Sequence, residues 1–293
     1  TNDEWIRTRT GIRERRISSG EGTRHLAAKA AERALAAAGV APEELDIIIL
    51  GTSSPDRNYP SDACSVQAAI GAVNAVAFDI SAACAGFIFA MNIVEGFFKA
   101  GIYKTALIIG AETLSKVTDW SDRGTCVLFG DGAGAAVLKA EETGIIDMMM
   151  GADGTKGDVL ACTSRTVGNF LTGTKPELGF MTMDGQEVFK FAVRKVPESV
   201  MELLQRTGTK KEDIKYYVLH QANERIIEAA ARRLKEPMEK FPMTISQFGN
   251  TSTASIPLLL DDMIRKDMLK RGDKIIMSGF GAGMTWGAVL MEW

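Results

Sequence analysis

The chain repeats itself at long range, and a duplication constrains a fold more than any local motif does. Glu43-Glu44-Leu45-Asp46-Ile47-Ile48-Ile49-Leu50 is a charged turn running into a β-branched stretch that reads as a buried strand, and Lys211-Glu212-Asp213-Ile214-Lys215-Tyr216-Tyr217-Val218-Leu219 is another. Each is followed by a small-residue turn, a long helical segment and a second apolar strand, Lys104 to Gly110 in the first half and Lys274 to Gly279 in the second. Asp46 and Lys215 stand 169 positions apart and Lys104 and Lys274 stand 170 apart, so one offset spans a whole half. That constancy indicates a duplicated α/β unit.

Helix signals fall where the repeat needs them. His25 to Ala38 is alanine-rich with apolar spacing and closes at Gly39; Gly86 to Lys99, closing at Gly101, is apolar nearly all round and is predicted to be buried. Their second-half counterparts are Gln221 to Leu234 and Ser255 to Leu269, the latter with Pro257 in its first turn, where a missing N–H costs least. Thr1 to Glu4 fits a capping box and predicts a helix at the start of the chain. Alternating strands and helices predict an α/β fold with mostly parallel pairing and helices on both sheet faces. The halves are read as 1–144 and 145–293, with the glycine-rich stretch from Gly144 to Gly179 supplying loops at the boundary.

Composition excludes some partners. A 46% hydrophobic, 24% charged chain is ordinary for a globular protein, and no apolar run approaches the roughly 20 residues of a membrane span. With 34 basic against 37 acidic residues, no global field attracts nucleic acid. Cys64, Cys84, Cys126 and Cys162 have neither the spacing of a metal site nor the density of a disulfide scaffold, which points to reduced thiols in a reducing, cytoplasmic setting with no metal.

One cysteine has a reactive setting. Phe78-Asp79-Ile80-Ser81-Ala82-Ala83-Cys84-Ala85-Gly86 is a strand entering small residues and then the buried helix, so Cys84 stands at a helix N-terminus, where free N–H groups favour thiolate. A small core hydrophobe is the competing reading. Cys126, within an apolar stretch from Thr125 to Phe129 that reads as a strand, looks like core.

A nucleophilic cysteine needs a base or hydrogen-bond donors, and the chain has only two histidines. His25 opens a surface helix. His220 lies in Leu219-His220-Gln221-Ala222-Asn223, at the C-terminal end of a predicted strand, where open α/β sheets bind ligands. Phe248-Gly249-Asn250-Thr251-Ser252 occupies in the second half the place of Cys84 in the first, so two helix N-termini are expected to meet at one site. Asn250 is either a turn residue or a donor there.

These segments resemble the thiolase-fold condensing enzymes, and among them the β-ketoacyl-acyl-carrier-protein synthases III. The matching stretches run in order along the chain: Asp3-Glu4-Trp5, Arg9-Thr10-Gly11-Ile12-Arg13-Glu14-Arg15, Pro60-Ser61, Ser81-Ala82-Ala83-Cys84, Asp122-Arg123-Gly124-Thr125, Phe129-Gly130-Asp131-Gly132-Ala133-Gly134-Ala135, His220-Gln221-Ala222-Asn223, Gly249-Asn250-Thr251-Ser252 and Gly279-Phe280-Gly281-Ala282-Gly283. The opening strand of a usual member has no counterpart, which would leave a sheet edge unpaired. The related elongating synthases resemble a Cys-His-His arrangement and thiolases carry a second cysteine near the C-terminus. This chain has no second suitable histidine and no cysteine after Cys162.

The resemblance implies a layered αβαβα sandwich of two pseudo-symmetric halves, a homodimer, and a ping-pong condensation without a resident cofactor. Cys84 would take the acyl group of a short acyl-coenzyme A, held by an oxyanion hole at the N–H groups of Cys84 and Ala282. Malonyl-acyl-carrier protein would then lose CO2, with His220 and Asn250 stabilising the enolate. Coenzyme A would meet Trp5, Arg9, Arg123 and Asn223, the acyl chain Tyr59 (from a neighbouring subunit) and Phe280, and the carrier protein Lys190, Arg225, Arg232 and Arg233.

Ala282 departs from the all-glycine version of the closing run, so the oxyanion assignment there requires a negative φ. Two other readings keep the fold: an acyltransferase to oxygen or nitrogen or a ketide synthase of secondary metabolism, and a non-enzymatic acyl-coenzyme A binding homologue. Loss of CO2 from malonyl-carrier protein separates the first from the condensing reading, and failure of Cys84 to acylate would favour the second.

Overall fold

The computed structural model describes residues Thr1–Trp293. In chain order it comprises α1 (Asp3–Thr10), α2 (Thr23–Ala38), β1 (Ile47–Gly51), α3 (Asp62–Ile70), β2 (Val76–Ile80), α4 (Gly86–Lys99), β3 (Thr105–Glu112), β4 (Gly132–Lys139) and β5 (Ile145–Gly151). There follow β6 (Leu160–Cys162), β7 (Met181–Met183), α5 (Gly185–Thr207), β8 (Ile214–Leu219), α6 (Glu224–Leu234), α7 (Ile245–Phe248), α8 (Ser255–Arg265), β9 (Lys274–Gly281) and β10 (Thr285–Glu292).

Successive residues of each central strand enter different cores, because side chains alternate across a sheet. Ile48 and Leu50 of β1 and Leu107 and Ile109 of β3 pack with α2 and α3. Their neighbours Ile47, Ile49, Ala106 and Ile108 pack with α4 and α8, and Val218, Ile275, Met277 and Val289 reach the same core from the other sheet. Tyr217, Leu219, Ile276, Ala288 and Leu290 face outward onto α5 and α6. The layers are therefore helices, sheet, helices, sheet, helices, and α4 and α8 form the middle one. An apolar all-round α4 is the sequence counterpart of that position.

The sheets have the order β2-β1-β3-β4 and β5-β10-β9-β8. The β1–β3 and β8–β9 pairs are parallel, and β3–β4 and β9–β10 are antiparallel, as a duplication requires. The halves differ at their flanks: β5 pairs with β10, whereas β4 is an edge strand.

Several local expectations are corrected. The first helix is capped by Asn2, whose side chain accepts from the Trp5 N–H, and not by Thr1. Thr125 to Leu128 forms turns and Phe129 a single parallel bridge to Asn250, not a strand. The second-half helices are shorter than read: α6 starts at Glu224 behind the Asn223 cap, and α8 ends at Arg265. The Gly144–Gly179 stretch contains β5 as well as loops. The 23-residue α5, which the sequence reading does not place, passes through Pro197. Its start is marked by Asp184, which caps the Gln186 and Glu187 N–H groups. No helix is long and apolar enough to cross a membrane.

Candidate active site

Two equivalent turns meet where the central helices begin. Ala83–Ala85 leads into α4 and Ser252–Ala254 leads into α8. Ala83 (φ +46°) and Ser252 (φ +50°) are both non-glycine residues in the left-handed region, 169 positions apart like the repeat itself. Such residues cost about 1–3 kcal/mol and persist where their surroundings over-determine them. Thr253, the counterpart of Cys84, has its hydroxyl 2.8 Å from the Ala83 carbonyl and so ties the two turns together.

Cys84 is buried in its turn. Burial pushes its thiol up to about 12, and the Ser252 hydroxyl opposes this. Desolvation thus works against the thiolate that the helix N-terminus favours.

His220 follows the last residue of β8 and is buried, with its Nδ1 2.6 Å from Ser255 Oγ in the first turn of α8. The Gln221 N–H donates to the same oxygen at 3.4 Å, which leaves the Ser255 hydrogen free to donate to Nδ1. With Ser255 as the donor, the ring carries its hydrogen on Nε2. Burial depresses the imidazolium to about 3, so the ring is a neutral donor at physiological pH. It packs edge-on against Phe280 at 5.3 Å.

Asn250 is held by its backbone: its N–H donates to the Leu128 carbonyl at 2.9 Å and its carbonyl accepts from the Gly130 N–H at 3.0 Å. Its Oδ1 accepts from the Ser252 N–H at 2.9 Å, which commits the oxygen and leaves Nδ2 as a donor.

Cys84, His220 and Asn250 line one cavity of about 280 Å³, together with Phe280 and Gly281. Gly281 brings β9 against the Cys84 turn: a Cβ there would stand 2.6 Å from the Cys84 nitrogen. Gly283 (φ +72°) and Met284 (φ +45°) carry the left-handed conformation of this run, and Ala282 does not, so the alanine is unstrained. Gly281 lines the cavity, and Ala282 stands one residue behind that wall.

Trp5, Arg9, Arg123 and Asn223 line the same cavity. The Arg123 guanidinium lies over the Trp5 ring at 4.6 Å and Arg9 stands 6.0 Å from it. Asn223 Nδ2 donates to the Arg9 carbonyl at 3.1 Å, fixing α1 on α6. Tyr59 is 86% exposed and is not part of the cavity wall in this chain. Of the four basic residues, Lys190 and Arg232 make exposed pairs with Glu187 and Glu228. Arg225 donates to the Thr8 carbonyl and Arg233 to the Val193 carbonyl. His25 lies away from the site, with Arg24 and Ser65.

Sequence reading missed Leu160, Met183, Val188 and Phe189, which give the cavity an apolar wall from β6, β7 and α5. It also missed Glu112, a fully buried carboxyl at the end of β3. An acid closing an otherwise apolar strand, Thr105 to Glu112, is the signal that could have found it.

The layered duplication, with a cysteine at one central helix and a histidine and asparagine from the other half in the same cavity, defines the class of thiolase-fold condensing enzymes. Residues 78–154 match the family described as 3-oxoacyl-[acyl-carrier-protein (ACP)] synthase III, and residues 204–293 its C-terminal region. The β-ketoacyl-[acyl-carrier-protein] synthase III of Clostridium acetobutylicum is 52% identical over 295 residues, covering 100% of this chain and 91% of the relative. The structure of 3-oxoacyl-[acyl-carrier-protein] synthase III from Aquifex aeolicus VF5 has a TM-score of 0.93 at 47% identity, covering 100% of this chain and 92% of that one. The Thermus thermophilus enzyme, at 42% identity, also gives 0.93 and covers 100% and 91%. The chain belongs to the β-ketoacyl-acyl-carrier-protein synthase III family of condensing acyltransferases.

Proposed function

We propose that the chain primes fatty acid synthesis by condensing a short acyl-coenzyme A, acetyl-coenzyme A in particular, with malonyl-acyl-carrier protein. The observation that carries this reading is the convergence of Cys84, His220 and Asn250 on one cavity whose wall also holds the Trp5–Arg123 pair. An aromatic ring under a guanidinium is suited to grip an adenine base.

In the first stage the Cys84 sulfur attacks the thioester carbonyl, and the oxyanion accepts from the Cys84 and Ala282 N–H groups. Net, the Cys84 proton ends on the departing coenzyme A sulfur, which balances the exchange without a strong base. In the second stage malonyl-carrier protein loses CO2, and the enolate oxygen accepts from His220 Nε2–H and Asn250 Nδ2–H. A neutral histidine suits this step, because both groups must donate while neither need change charge. The enolate carbon attacks the acyl-Cys84, and the expelled thiolate takes up one proton.

The remaining assignments follow from this reading. Coenzyme A uses Trp5, Arg9, Arg123 and Asn223, and Phe280 bounds the acyl group. The carrier protein uses Lys190, Arg225, Arg232 and Arg233, with Lys190 and Arg232 more exposed to it. Tyr59 closes the acyl pocket of a neighbouring subunit in a cytoplasmic homodimer, which its exposure favours. The functional division falls between 1–144, which brings the nucleophile, and 145–293, which brings the donors. Relatives about half identical over the whole chain disfavour the ketide-synthase and oxygen- or nitrogen-acyltransferase alternatives.

Intact-protein mass spectrometry with acetyl-coenzyme A, on the wild type and Cys84→Ser, tests the first stage, and a chase with malonyl-carrier protein tests the second. A Cys84-dependent acetyl adduct discharged by the chase with CO2 release supports the reading. An adduct that survives the chase rejects condensation, and no adduct rejects acyl transfer. Sedimentation and chain-length preference of Tyr59→Thr test the subunit assignment; an unchanged preference rejects it.

A further inference from the structure

The mechanism above makes no use of Glu112, although the chain buries its carboxyl completely and pairs it with no cation. The carboxyl sits among hydroxyls and one amide: Ser53 N–H at 3.1 Å, Ser54 Oγ at 2.5 Å, Thr52 Oγ1 at 3.3 Å, Ser252 Oγ at 3.0 Å and Thr253 Oγ1 at 2.9 Å. Ser54 Oγ already accepts from the Thr113 N–H, and Thr52 Oγ1 from the Ser54 N–H, so both hydroxyl hydrogens are free for the carboxyl.

Thr253 is different. Its oxygen carries one hydrogen and faces two oxygens, the Ala83 carbonyl at 2.8 Å and Glu112 Oε1 at 2.9 Å. The carbonyl can only accept. If Glu112 were ionised, one of these two contacts would set lone pair against lone pair. A hydrogen on Oε1 completes the row: the Glu112 O–H donates to Thr253 Oγ1, and the Thr253 O–H donates to the Ala83 carbonyl. Burial favours the uncharged acid and outweighs the hydrogen bonds from Ser54, Ser53, Thr253 and Ser252, which act the other way. Lys116 is paired with Asp56 at 2.7 Å and donates to the Ser54 carbonyl and Thr23 Oγ1, not to Glu112.

We propose that Glu112 acts as a neutral acid and is a positioning residue: through Thr253 it fixes the Ala83 carbonyl, and with it the left-handed turn that presents Cys84. This rests on Cys84 being the nucleophile. Close packing leaves little other freedom at the junction, since a side chain on Gly110 of β3 would collide with the Thr253 carbonyl.

The test compares Glu112→Gln, Glu112→Asp and Glu112→Ala, with Thr253→Val and Thr253→Ser, in two assays on the full chain: Cys84 acetylation by acetyl-coenzyme A and Cys84 alkylation by iodoacetamide. A glutamine N–H can replace the acid O–H, so Glu112→Gln is expected to keep both rates within about threefold, whereas Glu112→Ala and Thr253→Val lose about tenfold, the scale of one buried hydrogen bond. Glu112→Asp, one methylene short, falls with the alanine variant, and Thr253→Ser is rescued. If Glu112→Gln loses as much as Glu112→Ala, or Glu112→Asp retains full rates, a charged or merely space-filling role replaces the proposal. If the wild type fails to acetylate, the functional reading fails, while the alkylation rates still decide the role of Glu112.

Discussion

Ser255 Oγ lies 2.6 Å from His220 Nδ1, so the first turn of one central helix holds the imidazole and, with Ser255 as the donor, leaves Nε2–H for the cavity. Ser255→Ala removes the donor without changing the fold of α8. The expected result is a condensation kcat lower by about three- to tenfold, for loss of roughly one net hydrogen bond, with Cys84 acetylation little changed. Separate single-turnover measurements of the two stages check this; equal loss in both would mean that Ser255 supports the site only as packing.

The same histidine makes stability depend on pH in a defined direction. Its folded value of about 3 lies below its ordinary 6.5, so the unfolded chain takes the proton first as pH falls. The stabilisation is present above pH 6.5 and is lost on the way down towards 3. Between about pH 7 and pH 5 the wild type should lose about 2 kcal/mol more than His220→Gln, at 1.4 kcal/mol per pH unit. Urea unfolding of both proteins at the two pH values measures the difference.

The buried thiol predicts slow chemistry with small electrophiles. With Cys84 pushed up to about 12, the rate of iodoacetamide alkylation should climb through the whole neutral range with no plateau. A plateau below about pH 8 would show that the helix N-terminus, not burial, sets the thiol.

Arg123 covers the Trp5 ring at 4.6 Å. Arg123→Ala should raise KM for acetyl-coenzyme A by about three- to tenfold, as expected for a partly exposed cation–π contact, and leave iodoacetamide alkylation of Cys84 unchanged. Equal slowing of both would place the arginine's effect on the nucleophile turn.

Much of this architecture was legible in the residues. The offset of the two strand-entry segments foretold the duplicated sheets, and the apolar circumference of Gly86 to Lys99 foretold a helix between them. The convergence of Cys84, His220 and Asn250 on one cavity could be anticipated because few residues of the right type stand at strand ends and helix starts. Helix boundaries at Asn223 and Arg265 were harder to read, since caps and frayed turns depend on one side chain each. Glu112 was hidden for a deeper reason: its partners come from segments around residues 53, 54, 252 and 253, which only the folded chain brings together. The burial of the thiol was likewise hidden, because local sequence displays the helix terminus but not the depth at which it lies.

Thr253 standing in the place of Cys84 has a wider meaning. The two turns of the duplication hold different side chains, and on the proposed reading one reacts while the other braces it across the pseudo-dyad. A second thiol at position 253 would therefore remove the brace, so a single reacting centre follows from the difference between the twins.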